Sequence, residues 1–197
     1  MLRGFIIKYI LVDIQFEGID SRFSNDQITI NVVSRDEHVS DAERYIRVIK
    51  ERTRANFAML RFTKIPKKML VALLSNVVFY LNAFPWPLGI SDELSPTAII
   101  EGHPLNYRLH FQVIFGEYAQ TYEGTSNTMK PRTIGAIALG PSGNLQGGVQ
   151  FFSLNTGEII NRHKYDYTLL PMPEEVIKGV NGMARKICWT TFWRQTQ

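Results

Sequence analysis

The strongest chemical signal in the chain is the run Ser40-Asp41-Ala42-Glu43-Arg44-Tyr45-Ile46-Arg47-Val48-Ile49-Lys50-Glu51-Arg52-Thr53-Arg54. Ser40 and Glu43 have the Ser-x-x-Glu spacing of a capping box, in which hydroxyl and carboxylate each satisfy an amide that a helix start leaves unpaired. At about 100° per residue, Glu43, Arg47, Lys50 and Arg54 fall in one narrow stripe. One carboxylate then heads the helix, with Arg44 next to it and three cations stacked below. Ala42, Ile46, Ile49 and Thr53 share a different face, which must point to a core. Between residues 41 and 68 there are nine Lys or Arg against three acids, a local +6 in a chain whose total is +4, so the remainder carries −2. A basic surface concentrated in this way suits phosphates. A basic stripe is more often a solvated face braced by Glu-to-Lys pairs, with Glu43 no more than a cap. The residues alone leave both readings open.

Other chemistry-bearing residues say less. Histidines 38, 103, 110 and 163 are scattered, without the spacing of a zinc site. His38, beside Asp36 and Glu37, has metal-ligand neighbours, but a solvent-facing ring in a loop is the plainer reading. The single Cys188 cannot form an intrachain disulfide, which points to a reducing compartment, and its place near the C-terminus gives no support to a thiol nucleophile. Gly147-Gly148 is too short to cradle phosphate and reads as a hairpin turn. Phe151, Phe152, Tyr165 and Tyr167 could stack bases, although cross-strand packing is the commoner use of such rings.

The elements that must position these residues follow from pattern. With 197 residues, 45% apolar and 20% charged, the chain has the balance of a folded protein and not of a disordered tail or disulfide scaffold. Residues 5–12 read as a buried, central strand ending at Asp13, and residues 27–34 alternate with period two as a second strand. A long helix is expected over residues 40–57 and another over 67–83. The apolar run 69–84 is shorter than a bilayer span and carries Ser75, Asn76 and Asn82, so it reads as a core helix. Lys8 interrupts the N-terminal apolar run and Asp13 follows it, which argues against a signal peptide. No membrane partner is expected, and the location expected is intracellular, cytoplasmic or nuclear. Pro85, Pro87, Pro96 and Pro104 crowd the stretch 84–104, where a domain boundary is expected. Beyond it, short β-type runs at 107–121, 132–139, 148–154 and 159–167, separated by Gly-containing turns, suggest a small barrel.

Several segments together resemble the integrases of copia-type LTR retrotransposons. Asp41-Ala42-Glu43-Arg44-Tyr45-Ile46-Arg47 with Glu51-Arg52 resembles the segment bearing the third catalytic acid of that family. Leu11-Val12-Asp13-Ile14-Gln15-Phe16-Glu17 resembles the strand end with the second acid, and Asn31-Val32-Val33-Ser34-Arg35-Asp36-Glu37-His38-Val39 the strand and loop between them. Leu81-Asn82-Ala83-Phe84-Pro85, Leu94-Ser95-Pro96, Phe115-Gly116-Glu117-Tyr118-Ala119, Gly135-Ala136-Ile137-Ala138-Leu139 and Leu170-Pro171-Met172-Pro173 continue the likeness in order, to about residue 186.

The resemblance implies an α/β fold in two parts. Residues 1–95 would be a partial RNase H-like integrase core of two strands and two long helices. A linker at 96–104 would lead to a small all-β Src-homology-3-like barrel at 105–172, followed by an atypical tail at 173–197. It also implies two-metal polynucleotidyl transfer, with carboxylates as hard oxygen ligands for Mg2+ or Mn2+. Asp13 and Glu43 would be two of three catalytic, metal-binding acids. Arg44, Arg47, Lys50 and Arg54 would hold DNA, and the intact family implies a homo-oligomer. The sequence departs from that pattern in three places. No Asp or Glu precedes Asp13, Ile14 replaces the polar residue usual after the second acid, and residues 187–197 are unlike the polar linker expected. The expectation is therefore an integrase fragment that binds nucleic acid but is inactive alone, with its metal binding left open. The alternative is a non-catalytic module in which the barrel binds protein or nucleic acid and the helices are scaffold. The two differ on whether metal binds at Asp13 and Glu43.

Overall fold

A computed structural model of the chain describes residues 6–13, 28–33, 40–87, 89–124, 129 and 131–184. The first two strands are β1 (Tyr9–Asp13) and β2 (Thr29–Val33), parallel and in register from Tyr9 opposite Thr29 to Asp13 opposite Val33. Their alternation gives one half-buried face of Ile10, Val12, Ile30 and Val32. The other face is open: Tyr9 is 72% and Leu11 57% exposed, so β1 is not the buried central strand expected. Among the described residues the pair has no third strand beside it.

Helix α1 (Ser40–Ala58) begins where the capping-box spacing puts it, and α2 (Lys67–Ala83) has the predicted bounds. Pro66 precedes α2, and Phe84, extended because Pro85 follows, ends it. The expected core face of α1 is covered only towards its C-terminal half. Thr53 is fully buried and donates its hydroxyl to the Ile49 carbonyl at 2.7 Å, whereas Ile46 is 51% exposed. Helix α2 buries Met69, Leu70, Ala72, Leu73, Asn76 and Val77, a stripe at helical spacing. No helix among the described residues is long and apolar enough to cross a membrane.

Residues 96–104, expected as a linker, contain helix α3 (Pro96–Glu101). The Ser95 hydroxyl accepts from the Ala98 amide, Pro96 opens the helix, and Gly102 at φ 77° closes it. Thr97 ties α3 to α2 by donating its hydroxyl to the Asn82 carbonyl at 2.9 Å. The run 107–121, expected as a strand, starts instead as a helical turn, α4 (Tyr107–His110), because the Asn106 side chain caps the Arg108 amide.

Strands β3 (Tyr118–Tyr122), β4 (Thr133–Pro141), β5 (Val149–Ser153), β6 (Ile159–Arg162) and β7 (Tyr167–Leu170) form one antiparallel sheet in the order β6-β5-β4-β3-β7. The sheet curls. Arg162 on β6 meets Glu123, just beyond β3, at 2.6 Å, and the Tyr167 ring of β7 lies 4.8 Å from that of Phe151 on β5. Inside the curve sit Ala119, Ala136, Ala138, Val149 and Phe151 with Val113. On the other face, Tyr118, Ile137, Leu139 and Phe152 pack against Met69 and Leu73 of α2. The hydrophobic core therefore crosses the boundary expected at 96–104 and joins α2 to the sheet.

Part of the expected tail belongs to that core too. Helix α5 (Glu174–Met183) buries Val180 completely, and its Asn181 side-chain oxygen accepts from the amides of Thr63 and Lys64 at 3.1 and 3.0 Å. The fold is mixed α/β: a five-stranded antiparallel sheet with helices packed on it, and a separate parallel strand pair.

Candidate nucleic-acid interface

The basic stripe is a surface of α1. Glu43, Arg44, Arg47 and Arg54 are exposed, and Lys50 is half-buried. Helix α1 packs on α2, Thr53 is buried and Ile49 half-buried on its inner face, and the stripe lies on a more exposed flank. From Arg47 to Arg54 the helix rises about 10.5 Å. One strand of B-DNA sets about three phosphates over that axial length. The basic segment continues past the helix with Arg61, Lys64, Lys67 and Lys68, all exposed. Lys68 pairs with Glu158 beside β6, so that cation also ties α2 to the sheet.

The proposed acids sit at the starts and ends of elements, as the spacing requires. Asp13 is the last residue of β1 and faces Val33, the last of β2, so both strands deliver their C-terminal ends to one edge. Glu43 lies in the first turn of α1, the helix that follows β2. Residues 34–39, with the His38 neighbourhood, lie outside the described residues, as do the side chains of Asp13, Ser40 and Asp41. The structure thus puts Asp13 at the edge from which the chain leaves towards Glu43. Asp13 and Glu43 are hard oxygen donors, but among the described residues no group of three or more His, Cys, Asp or Glu could hold a metal ion. A two-metal centre needs ligands for both cations, so Asp13 and Glu43 would have to be joined there by a further carboxylate.

Most of the remaining candidates resolve as packing or turns, whereas Tyr165 is exposed. Phe151 and Phe152 are both buried, on opposite faces of β5, and the Tyr167 hydroxyl donates to Gln112 at 3.2 Å. Burial raises the Tyr167 phenol above its ordinary value, helped by the Glu117 carboxylate. Gly147, at φ 72°, and Gly148, whose amide donates to the Asn144 side chain, form the β4–β5 turn. Cys188 lies outside the described residues.

Two features escape a reading by sequence. His103 and His110, far from any ligand spacing, line one recess of about 290 Å³ with Glu101. His110 is buried and its Nδ1 has no hydrogen-bond partner. Burial lowers its pKa, against a smaller upward pull from Glu101. The second feature is a larger apolar groove beside α1, lined by Arg52, Tyr80 and Trp86 among others. The one available signal was Phe84-Pro85-Trp86-Pro87, four apolar residues in a breaker-rich stretch. Compared with known proteins, the chain matches no family model and no curated protein.

Proposed function

We propose that the chain is a nucleic-acid-binding fragment of a copia-type integrase, holding DNA by its phosphates and without catalytic activity of its own. The observation that carries this reading is the exposed cationic flank of α1, where Arg44, Arg47, Lys50 and Arg54 follow one another at helical spacing. Contacts of this kind neutralise phosphates and carry no base information, so affinity is expected to be sequence-independent. Two further features support the integrase assignment. Strands β3 to β6 form a meander whose fifth strand, β7, returns beside β3, which fits a Src-homology-3-like barrel. The parallel pair β1–β2 leading into α1 fits the second half of an RNase H-like core.

The alternative, a non-catalytic module in which the barrel binds protein or nucleic acid and the helices are scaffold, has less to support base stacking: Phe151 and Phe152 are buried and Tyr167 packs on Phe151, so of the four candidate rings Tyr165 is the one well exposed.

Binding of labelled duplexes of unrelated sequence tests the proposal. Equal affinities for all of them are expected, and a strong preference for one would overturn it. A labelled duplex end incubated with Mg2+ or Mn2+ tests the catalytic half. Joined product that disappears in Glu43→Gln would refute a binding-only role.

A further inference from the structure

We propose that the groove on the opposite flank of α1 is a docking site for an acidic, amphipathic segment of a partner protein. Its walls are the C-terminal half of α1, the face of α2 around Tyr80, and the turn holding Phe84 and Trp86, and it encloses about 790 Å³. A second hollow of about 390 Å³ continues it towards β7, with Met59, Leu60, Ile114 and Phe115 common to both. The groove is elongated, so a compact ligand would fill one hollow and leave the other open.

The walls are preformed. Phe84 stacks on Tyr107 with ring centres 5.6 Å apart, and the Tyr107 hydroxyl donates to the Ala83 carbonyl at 3.3 Å. Trp86 in turn lies against Tyr45 of α1 at 6.1 Å. Preformed walls remove much of the ordering cost of binding. The rim is apolar and uncovered: Met59 is 82% and Ile114 70% exposed. Exposed Met and aromatic side chains around a hollow are the composition of surfaces that receive protein segments.

Charge selects the occupant. The charged residues lining the two hollows, among the described residues, are Arg52, Arg61 and Glu117. Glu117 is committed to the wall itself, its carboxylate accepting the Ile114 amide at 2.8 Å. What the groove presents is apolar surface bracketed by two guanidinium groups. That complements apolar side chains flanked by carboxylates and disfavours a basic segment. An amphipathic helix with anchors at i, i+4 and i+7 matches this description. Helical geometry places Arg52 and Asn56 about half a turn round α1 from Arg47, Lys50 and Arg54, and Met59 follows just past the helix end. The groove and the nucleic-acid flank are therefore separate surfaces, and the docking proposal does not rest on DNA binding.

The test is to pan a random peptide library, displayed on phage, against the full chain and then measure the enriched sequence as a fluorescent peptide. Enriched peptides should combine apolar anchors with Asp or Glu. Met59→Glu, at a position too exposed to matter for folding, should weaken the peptide about tenfold or more. Arg52→Glu with Arg61→Glu should do the same, since each reversal turns an attraction into a repulsion. Alanine at Arg47, Lys50 and Arg54 should change affinity less than about twofold. Absence of enrichment, neutral or basic winners, or a peptide indifferent to Met59→Glu would overturn the proposal.

Discussion

Replacing Arg47, Lys50 and Arg54 together by Ala isolates the electrostatic role of α1. The three positions cover about 10.5 Å of helix, matched to about three phosphates of one strand. If each cation neutralises one phosphate of B-DNA, the slope of log affinity against log salt falls by about 2.7. Over a fourfold rise, from about 50 to about 200 mM salt, that difference amounts to about 40-fold. The parent chain should thus lose its advantage over the variant by about that factor across the range. Ala is the best helix former, so the variant keeps α1, and circular dichroism checks that it does. Lys50 is half-buried, unlike Arg47 and Arg54, and must extend its stem to reach a phosphate. A drop of only about 1.8 would assign the contact to the two arginines alone. The assay is fluorescence anisotropy of two duplexes of unrelated sequence, titrated at several salt concentrations. An unchanged slope would return the stripe to a solvated face and refute the reasoning.

Other predictions concern the fold. Hydrogen exchange should be slowest in β4 and β5, whose residues are buried on both faces of the sheet, and faster in β1, where Tyr9 and Leu11 are exposed; stronger protection in β1 would contradict this. Gly140→Ala should destabilise by about 2–4 kcal/mol in denaturant melts, because φ is 104° and the new methyl would lie 2.0 Å from the Asn76 side-chain nitrogen. Adding Asn76→Ala should recover part of that loss, and strict additivity would show that the close approach is not its cause. Burial holds His110 below its ordinary pKa, so the unfolded chain takes up this proton first, near about pH 6.5. The stabilising effect of the neutral ring is complete above that pH and is lost as pH falls through the folded value. His110→Gln should therefore flatten the dependence of Tm on pH between about 7 and 5, and parallel profiles would refute it.

The parts of the fold legible beforehand are those declared by residues close together in the chain. Ser40 and Glu43 mark the start of α1, Pro85 follows the end of α2, an apolar run closed by Asp13 marks β1 and alternation marks β2. Where a local signal of another kind competed, hydrophobic pattern misled. Tyr107-Arg108-Leu109-His110 is rich in strand-tolerant residues, yet the side chain of Asn106 reaches the Arg108 amide and turns the backbone into a helix. The packing that spans residues 96–104 is hidden for a different reason. Proline density reports where the backbone bends, whereas the packing of Met69 and Leu73 on Ile137 and Phe152 spans more than sixty residues of sequence.

The two flanks of α1 show the same division at the level of function. Arg47, Lys50 and Arg54 belong to one helix, so a period of 3.6 is enough to align them, and the stripe is visible without a structure. The opposite flank contributes only Arg52 and Asn56 to its groove, with Met59 and Leu60 just past the helix end, and those residues look like an ordinary helix surface. They become a site only because α2 runs beside α1 and the turn after it places Trp86 against Tyr45, while the loop before β3 supplies Ile114 and Phe115. A surface made by one element is encoded in its periodicity. A concave one is encoded in packing between elements, and here that packing is the same core that joins α2 to the sheet.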